Sequence, residues 1–99
     1  MAPRQQLNDL LKAITPNVYF QPKPNIEMDY PCIVYNREDL QTTHANNKPY
    51  NIEKQYTVTV MDRNPDSEIP DKVAKLPKCR FNRFYIADGL NHDVFQLFF

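Results

Sequence analysis

Glycine, tryptophan and long apolar runs are what this sequence has least of. It contains one glycine and no tryptophan against nine prolines, so its turns depend on proline and asparagine. It has no glycine-rich loop of the kind that binds phosphate groups. No apolar run approaches the roughly 18 residues that span a membrane, and the N-terminal segment is too polar for a signal peptide. We therefore expect a soluble protein made in a cytoplasm.

An excess of charge is also absent, since twelve Lys and Arg balance twelve Asp and Glu. This balance argues against nonspecific polyanion binding by the whole surface. With 99 residues, of which 41% are apolar, the chain can bury one core, so residues 1–99 are expected to form a single domain. Cys32 and Cys79 lie in apolar strand-like runs, which favours buried free thiols over a disulfide.

Hydrophobic periodicity predicts elements in the order α, β, β, β, α, β, β. Strict alternation marks 51–62 as a half-buried antiparallel strand, and Asp88-Gly89 is expected to make a positive-φ turn between the last two strands. The pattern predicts an α+β fold, with a mostly antiparallel sheet of four to five strands flanked by two helices. The first helix is marked by the stripe Leu7, Leu10, Leu11 and Ile14; the other elements are strands 17–21, 30–36 and 51–62, helix 66–76, and strands 78–87 and 91–99.

Residues 37–50 are polar and are predicted to form a long loop or an exposed hairpin arm. One interpretation is a solvated loop. The other is an arm that contacts a neighbouring subunit, in which charges of both signs set the register. The candidate interface residues in this segment are Arg37, Glu38, Asp39, His44 and Lys48.

An acid-rich corner follows strand 51–62 and first suggests a calcium site. Asp62, Asn64 and Asp66 match positions 1, 3 and 5 of a calcium loop. Ser67 replaces the required glycine, however, and Val73 stands where a bidentate glutamate closes the site. We therefore expect no metal and no cofactor, and interpret Asp66 or Ser67 as the helix N-cap.

A basic and aromatic segment resembles a surface for single-stranded nucleic acid. It lacks the glycines of the RNA-recognition signature, and its rings fall on both parities, as they do in a core or an interface. Core rings with solvated charges are the favoured interpretation. The alternative is a nucleic-acid-binding module that uses Lys78, Arg80, Phe81, Arg83, Phe84 and Tyr85.

Catalysis has little support in the sequence. Cys32, Cys79, His44 and His92 could in principle supply a nucleophile and a base, yet no nucleophile elbow or His-Glu motif accompanies them. We therefore expect no catalytic residues and no enzyme.

Three segments, 31–35 (PCIVY), 56–71 (YTVTVMDRNPDSEIPD) and 84–95 (FYIADGLNHDVF), resemble one known family. They are similar to the small neck proteins of long-tailed double-stranded DNA bacteriophages, the tail terminator or tail-completion proteins. The likeness covers about residues 28–99. Gly89 departs from it, because asparagine is expected there; both residues suit a positive-φ turn.

The resemblance implies a virion protein that forms a hexameric ring. Such a ring caps the tail tube, docks onto the head-tail connector (stopper) protein, and lets DNA pass through its bore. The implied partners are other copies of the chain, the tail tube protein and the connector, with no membrane. Whether the role is terminator, stopper or adaptor stays open. On this interpretation a ring face would carry Asp62, Arg63, Asp66 and Glu68.

Overall fold

The helices and strands follow the predicted order closely. The structure, a computed structural model, describes residues 4–45 and 48–99, with side chains described outside 39–53. Within these ranges, neither helix is long and apolar enough to cross a membrane. The elements are α1 (Arg4–Lys12), β1 (Val18–Phe20), β2 (Cys32–Ala45), β3 (Lys48–Asp62), α2 (Ile69–Ala74), β4 (Cys79–Ala87) and β5 (Leu90–Phe98).

The five described strands form one sheet in the spatial order β1-β2-β3-β5-β4. Only β1 and β2 are parallel; the other three pairings are antiparallel. The α+β class and the mostly antiparallel sheet are therefore confirmed. In the polar segment, residues 37–45 and 48–50 belong to the far ends of β2 and β3, which stay paired as far as Ala45 and Lys48.

One face of the sheet packs against both helices and holds the core. Residues directly opposite each other in antiparallel strands share a face, so Tyr56 and Leu97 lie on the same side, as do Val58 and Phe95. These side chains are at most 2% exposed, which confirms the alternation expected for β3. The helices contribute Leu7, Leu11 and Val73, and the sheet contributes Ile33, Tyr35, Tyr56, Val58, Val60, Phe95 and Leu97.

Helix α1 buries a narrower stripe than predicted. Leu7 and Leu11 are fully buried, but Leu10 is 43% exposed. At 3.6 residues per turn, Leu10 lies about 60° from Leu7 on the side away from Leu11. It therefore falls at the edge of the arc that faces the sheet.

The prediction for the cap of α2 was wrong in detail. Glu68 is the N-cap and makes no side-chain capping bond, while the Ser67 hydroxyl accepts a hydrogen bond from the Ile69 N–H at 3.3 Å. Asp66 does not cap the helix; its N–H donates to the Asn64 side chain at 3.0 Å. Consecutive side-chain turns extend the corner, so α2 starts later than expected, with a proline in its first turn.

The free thiols and the last turn are as predicted, but only one of the two thiols is fully buried. Both thiols are free, Cys32 buried and Cys79 half-buried. Burial, with a smaller contribution from Asp62, raises the pKa of Cys32 to about 11. Asp88 and Gly89 both have positive φ, 54° and 74°, and join β4 to β5 in a tight hairpin.

Candidate interaction surface

Strand β4 lies at the edge of the sheet, and its side chains from Arg80 to Ile86 are all exposed. Phe81 is 54% exposed, Phe84 51%, Tyr85 39% and Ile86 66%. The interpretation of these rings as core residues is therefore wrong for the isolated chain. β4 has β5 on one side and no described strand on the other, and its contact with α2 leaves these side chains exposed.

A β-bulge decides which of these side chains share a face. The pairing shifts between Phe81 and Arg83, so Phe81 opposes Phe95 while Phe84 opposes Asp93. The extra residue moves Phe84 onto the helix-covered face that Phe81 already occupies. Ile86, opposite Asn91, lies on that face too. We call Phe81, Phe84 and Ile86 the apolar stripe.

The opposite face of β4 carries a stack of polar and aromatic groups. The Arg83 guanidinium lies 5.2 Å from the centre of the Tyr85 ring, and that ring stacks on His92 at 4.5 Å and 12°. The His92 Nδ1 is 3.0 Å from the Leu90 carbonyl oxygen. Tyr85 is thus already occupied by contacts within the chain.

The structure does not gather the alternative nucleic-acid residues into one surface. Phe81 and Phe84 lie on the helix-covered face, whereas Arg80, Arg83 and Tyr85 oppose Gln96, Val94 and His92 on the other. Lys78 precedes the strand with a positive φ of 56°. A stacking platform needs bases and cations to meet the same face, so this set lacks that geometry.

The residues predicted for the arm are only partly described. Arg37 and Glu38 are exposed on β2, and the Arg37 N–H donates to the Gln21 side chain at 3.2 Å. The side chains of Asp39, His44 and Lys48 lie outside the described residues. On the backbone, His44 opposes Pro49 and Lys48 opposes Ala45, towards the far end of the hairpin.

The acid-rich corner lies at the other end of β3. The Asp62 carboxylate accepts the Asn64 N–H at 3.0 Å, and the Arg63 guanidinium lies 5.6 Å from the Tyr30 ring centre. Asp66 and Glu68 are exposed. The corner and the arm, both predicted as interface, are separated by the length of a 15-residue strand and form separate surfaces.

A cleft of about 390 Å³ lies at the base of the arm. No sequence pattern predicts this cleft, because its residues come from α1, the end of β1, β2 and β3 and share no local motif. It holds three cationic side chains with two aromatic rings and an amide. We call it the cationic cleft; its lining residues are Arg4, Phe20, Gln21, Arg37, Lys54 and Tyr56.

Arg4 is held in this cleft by contacts with neighbouring rings. Its guanidinium lies 4.3 Å from the Phe20 ring centre and donates to the Tyr35 hydroxyl at 3.0 Å; that hydroxyl in turn donates to Asn8 at 2.8 Å. Burial and Tyr35 raise the pKa of Tyr56, while Arg4 and Arg37 act in the opposite direction. Both guanidinium groups therefore act on the Tyr56 hydroxyl.

The described residues offer little to catalysis. No group of three His, Cys, Asp or Glu side chains among them could hold a metal ion. Burial raises the pKa of both thiols, whereas a nucleophilic cysteine requires a lowered one.

Comparisons of the chain with protein-family models, with curated proteins and with solved structures give no match.

Proposed function

We propose that this protein is a structural subunit that assembles with copies of itself into a ring, and that the ring acts as a tail terminator in a bacteriophage neck. The observation that carries the assembly step is the apolar stripe on edge strand β4. Three large apolar side chains there are more than half exposed, next to backbone groups that have no described strand beyond them.

An edge strand of this kind is unusual in a protein that stays monomeric. Edges are normally protected by charges, prolines or a covering loop, because unpaired N–H and C=O groups invite pairing with another chain. β4 has Arg80 and Arg83 on one face, but its other face is apolar along the strand. Covering that stripe would contribute about 1–2 kcal/mol per side chain, because each is already about half buried.

The two edges of the sheet differ, which favours a head-to-tail arrangement. β1 is a parallel strand of three residues, whereas β4 is an antiparallel strand of nine. When the two contacting surfaces differ, each subunit can bind the next, and the chain of contacts closes into a ring if the rotation per subunit permits.

The phage assignment comes from the resemblance of 31–35, 56–71 and 84–95 to neck proteins. On this proposal the ring is hexameric and belongs to the virion. Its partners are the tail tube protein and the head-tail connector, and DNA only passes through the bore. The protein works through its surfaces and is not an enzyme.

The assembly step is tested by the mass of the protein. Sedimentation across micromolar to millimolar concentrations should give a species of several subunits, visible as annuli by negative-stain microscopy. Phe84→Glu with Ile86→Lys should leave a folded monomer, because both side chains are exposed in the isolated chain. Leu10→Glu is the matched control, an exposed apolar residue on α1, and should assemble normally.

Two results would contradict the proposal. One is a wild-type protein that stays monomeric throughout this range. The other is a monomer that binds single-stranded oligonucleotide with a steep salt dependence, the signature of phosphate contacts. The phage role itself is tested by antibody labelling of virions: label at the head-tail junction is expected, and label elsewhere would exclude a neck protein.

A further inference from the structure

The cationic cleft brings three positively charged side chains together. Arg4, Arg37 and Lys54 line it together, and none of the three forms an ion pair with a carboxylate among residues 4–38 and 54–99, whose side chains the structure describes. Tyr56, which also lines the cleft, is 1% exposed. Like charges held this close destabilise the fold unless an anion joins them.

The donors suit a carboxylate. A guanidinium has five N–H donors in a planar fork that matches the two oxygens of a carboxylate. Arg4 uses one donor on the Tyr35 hydroxyl, and Arg37 is exposed, so both retain donors for a ligand. Lys54 adds a third positive charge, and the Tyr56 hydroxyl a neutral donor.

The acid-rich corner supplies carboxylates on the same chain but out of reach. Residues 62–71 contain four carboxylates and one cation, and Asp66, Glu68 and Asp71 are exposed. Along β3, Lys54 and Asp62 are eight residues apart, or roughly 26 Å at about 3.3 Å per residue. A corner carboxylate can therefore reach a cleft only on another copy.

The two surfaces lie towards opposite ends of β3. The cleft is on the side of α1 and β1, which contact each other, whereas the corner leads into α2, which contacts β4. Head-to-tail packing brings the β4 side of one copy to the β1 side of the next.

We propose that the cationic cleft is a carboxylate-binding site that receives the acid-rich corner of a second copy of this chain. This rests on the proposed ring and adds the charged contact that sets its register. Charge complementarity fixes orientation and rejects misaligned partners, a function that the apolar stripe cannot perform alone.

Charge reversal and charge exchange test this contact. Arg37→Glu with Lys54→Glu (the cleft variant) and Glu68→Lys with Asp71→Lys (the corner variant) should each raise the concentration needed for assembly by about tenfold or more, because like charges then oppose each other. A chain carrying all four substitutions should assemble near the wild-type concentration. An equimolar mixture of the two variants should also assemble, in alternation, which requires an even number of subunits.

The control is Lys12→Glu, an exposed lysine on α1 outside the cleft, which should change assembly little. Circular dichroism and thermal unfolding establish that each variant is folded. If the cleft variant assembles like the wild type, or if the fourfold variant and the mixture both fail to recover, the charged contact is excluded while the ring stands. If the wild type itself does not assemble, the ring fails and the contact with it.

Discussion

Strands β4 and β5 lie side by side with similar apolar content, yet one is exposed and the other buried. β5 runs between β3 and β4 and buries Leu90, His92, Val94, Phe95 and Leu97. In β4 every residue from Arg80 to Ile86 is exposed. The difference comes from their positions, since β5 has a strand on each side and β4 has one. Similar side chains thus stabilise the core in β5 and are exposed in β4, where the proposed function has them contact a partner.

The largest expected difference between β4 and β5 is in whether the protein still folds after one residue is deleted from the strand. Removing Val94 shifts Phe95 and Leu97 relative to both neighbouring strands and turns one part of β5 to the wrong face, so we expect an unfolded chain. Removing Asn82 takes out the extra residue of the bulge and leaves Phe81 and Phe84 on the same face. That variant should fold, as measured by circular dichroism and cooperative urea unfolding. Equal damage from both deletions would contradict the assigned register.

Replacing one phenylalanine by alanine in each strand should give the next largest difference, which is in the free energy of unfolding. Phe95 is 2% exposed, so Phe95→Ala should lower the free energy of unfolding by about 3–5 kcal/mol. Phe84 is 51% exposed, and Phe84→Ala should cost the monomer less than about 1 kcal/mol. Urea denaturation of dilute monomer measures both values. Similar losses would show that β4 is covered within the subunit.

The two thiols should react at different rates with an alkylating reagent. Cys79, half-buried at the start of β4, should react in the folded protein, whereas Cys32 should react only on unfolding. Peptide mass spectrometry measures the labelling of each thiol, and Cys79→Ala is the control. The folded chain keeps the Cys32 proton up to a pKa of about 11, against 9.0 unperturbed. Since the unfolded chain loses its proton first, stability should fall as pH rises between these values. Rapid labelling of native Cys32 would contradict its burial.

The smallest effect concerns Asp93, which lies on β5 opposite Phe84. Burial and then Asp71 raise its pKa above 3.8, while His92 acts to lower it. The folded chain therefore binds this proton more tightly than the unfolded chain, and the free energy of unfolding falls as pH rises from about 3.8 through the folded-state pKa. Asp93→Asn should remove this pH dependence and stabilise the protein at pH 7 by less than about 1 kcal/mol, since the group is partly solvated. A destabilised variant at pH 7 would contradict the shift.

Local patterns predicted most of the fold. Alternation in β3 predicted that Tyr56, Val58 and Val60 all face the core. The Asp88-Gly89 turn was predicted from its residue types alone. Both succeed because strand parity and positive-φ preference are properties of a few consecutive residues. The cap of α2 was misplaced, because Asp62, Asn64 and Ser67 compete for the same backbone N–H groups and the sequence does not rank them.

Local sequence patterns predicted the candidate surfaces less well than they predicted the fold. Phe81 shares a face with Phe84 and Ile86 only because of a bulge between Phe81 and Arg83, and no residue pattern in the sequence predicts that bulge. The cationic cleft was missed because Arg4 and Lys54 are fifty residues apart in sequence and meet only when α1 packs against the sheet.

By itself, the sequence determined the kinds of element, their order, the core face of β3 and the turn before β5, since each depends on neighbouring residues. Tertiary structure alone decided that β4 is an edge and β5 an interior strand, because strand order depends on pairings between distant segments. It also decided that three cations share a cleft, because this requires α1, β2 and β3 to be placed together. The surfaces on which the proposed function depends belong to this second group.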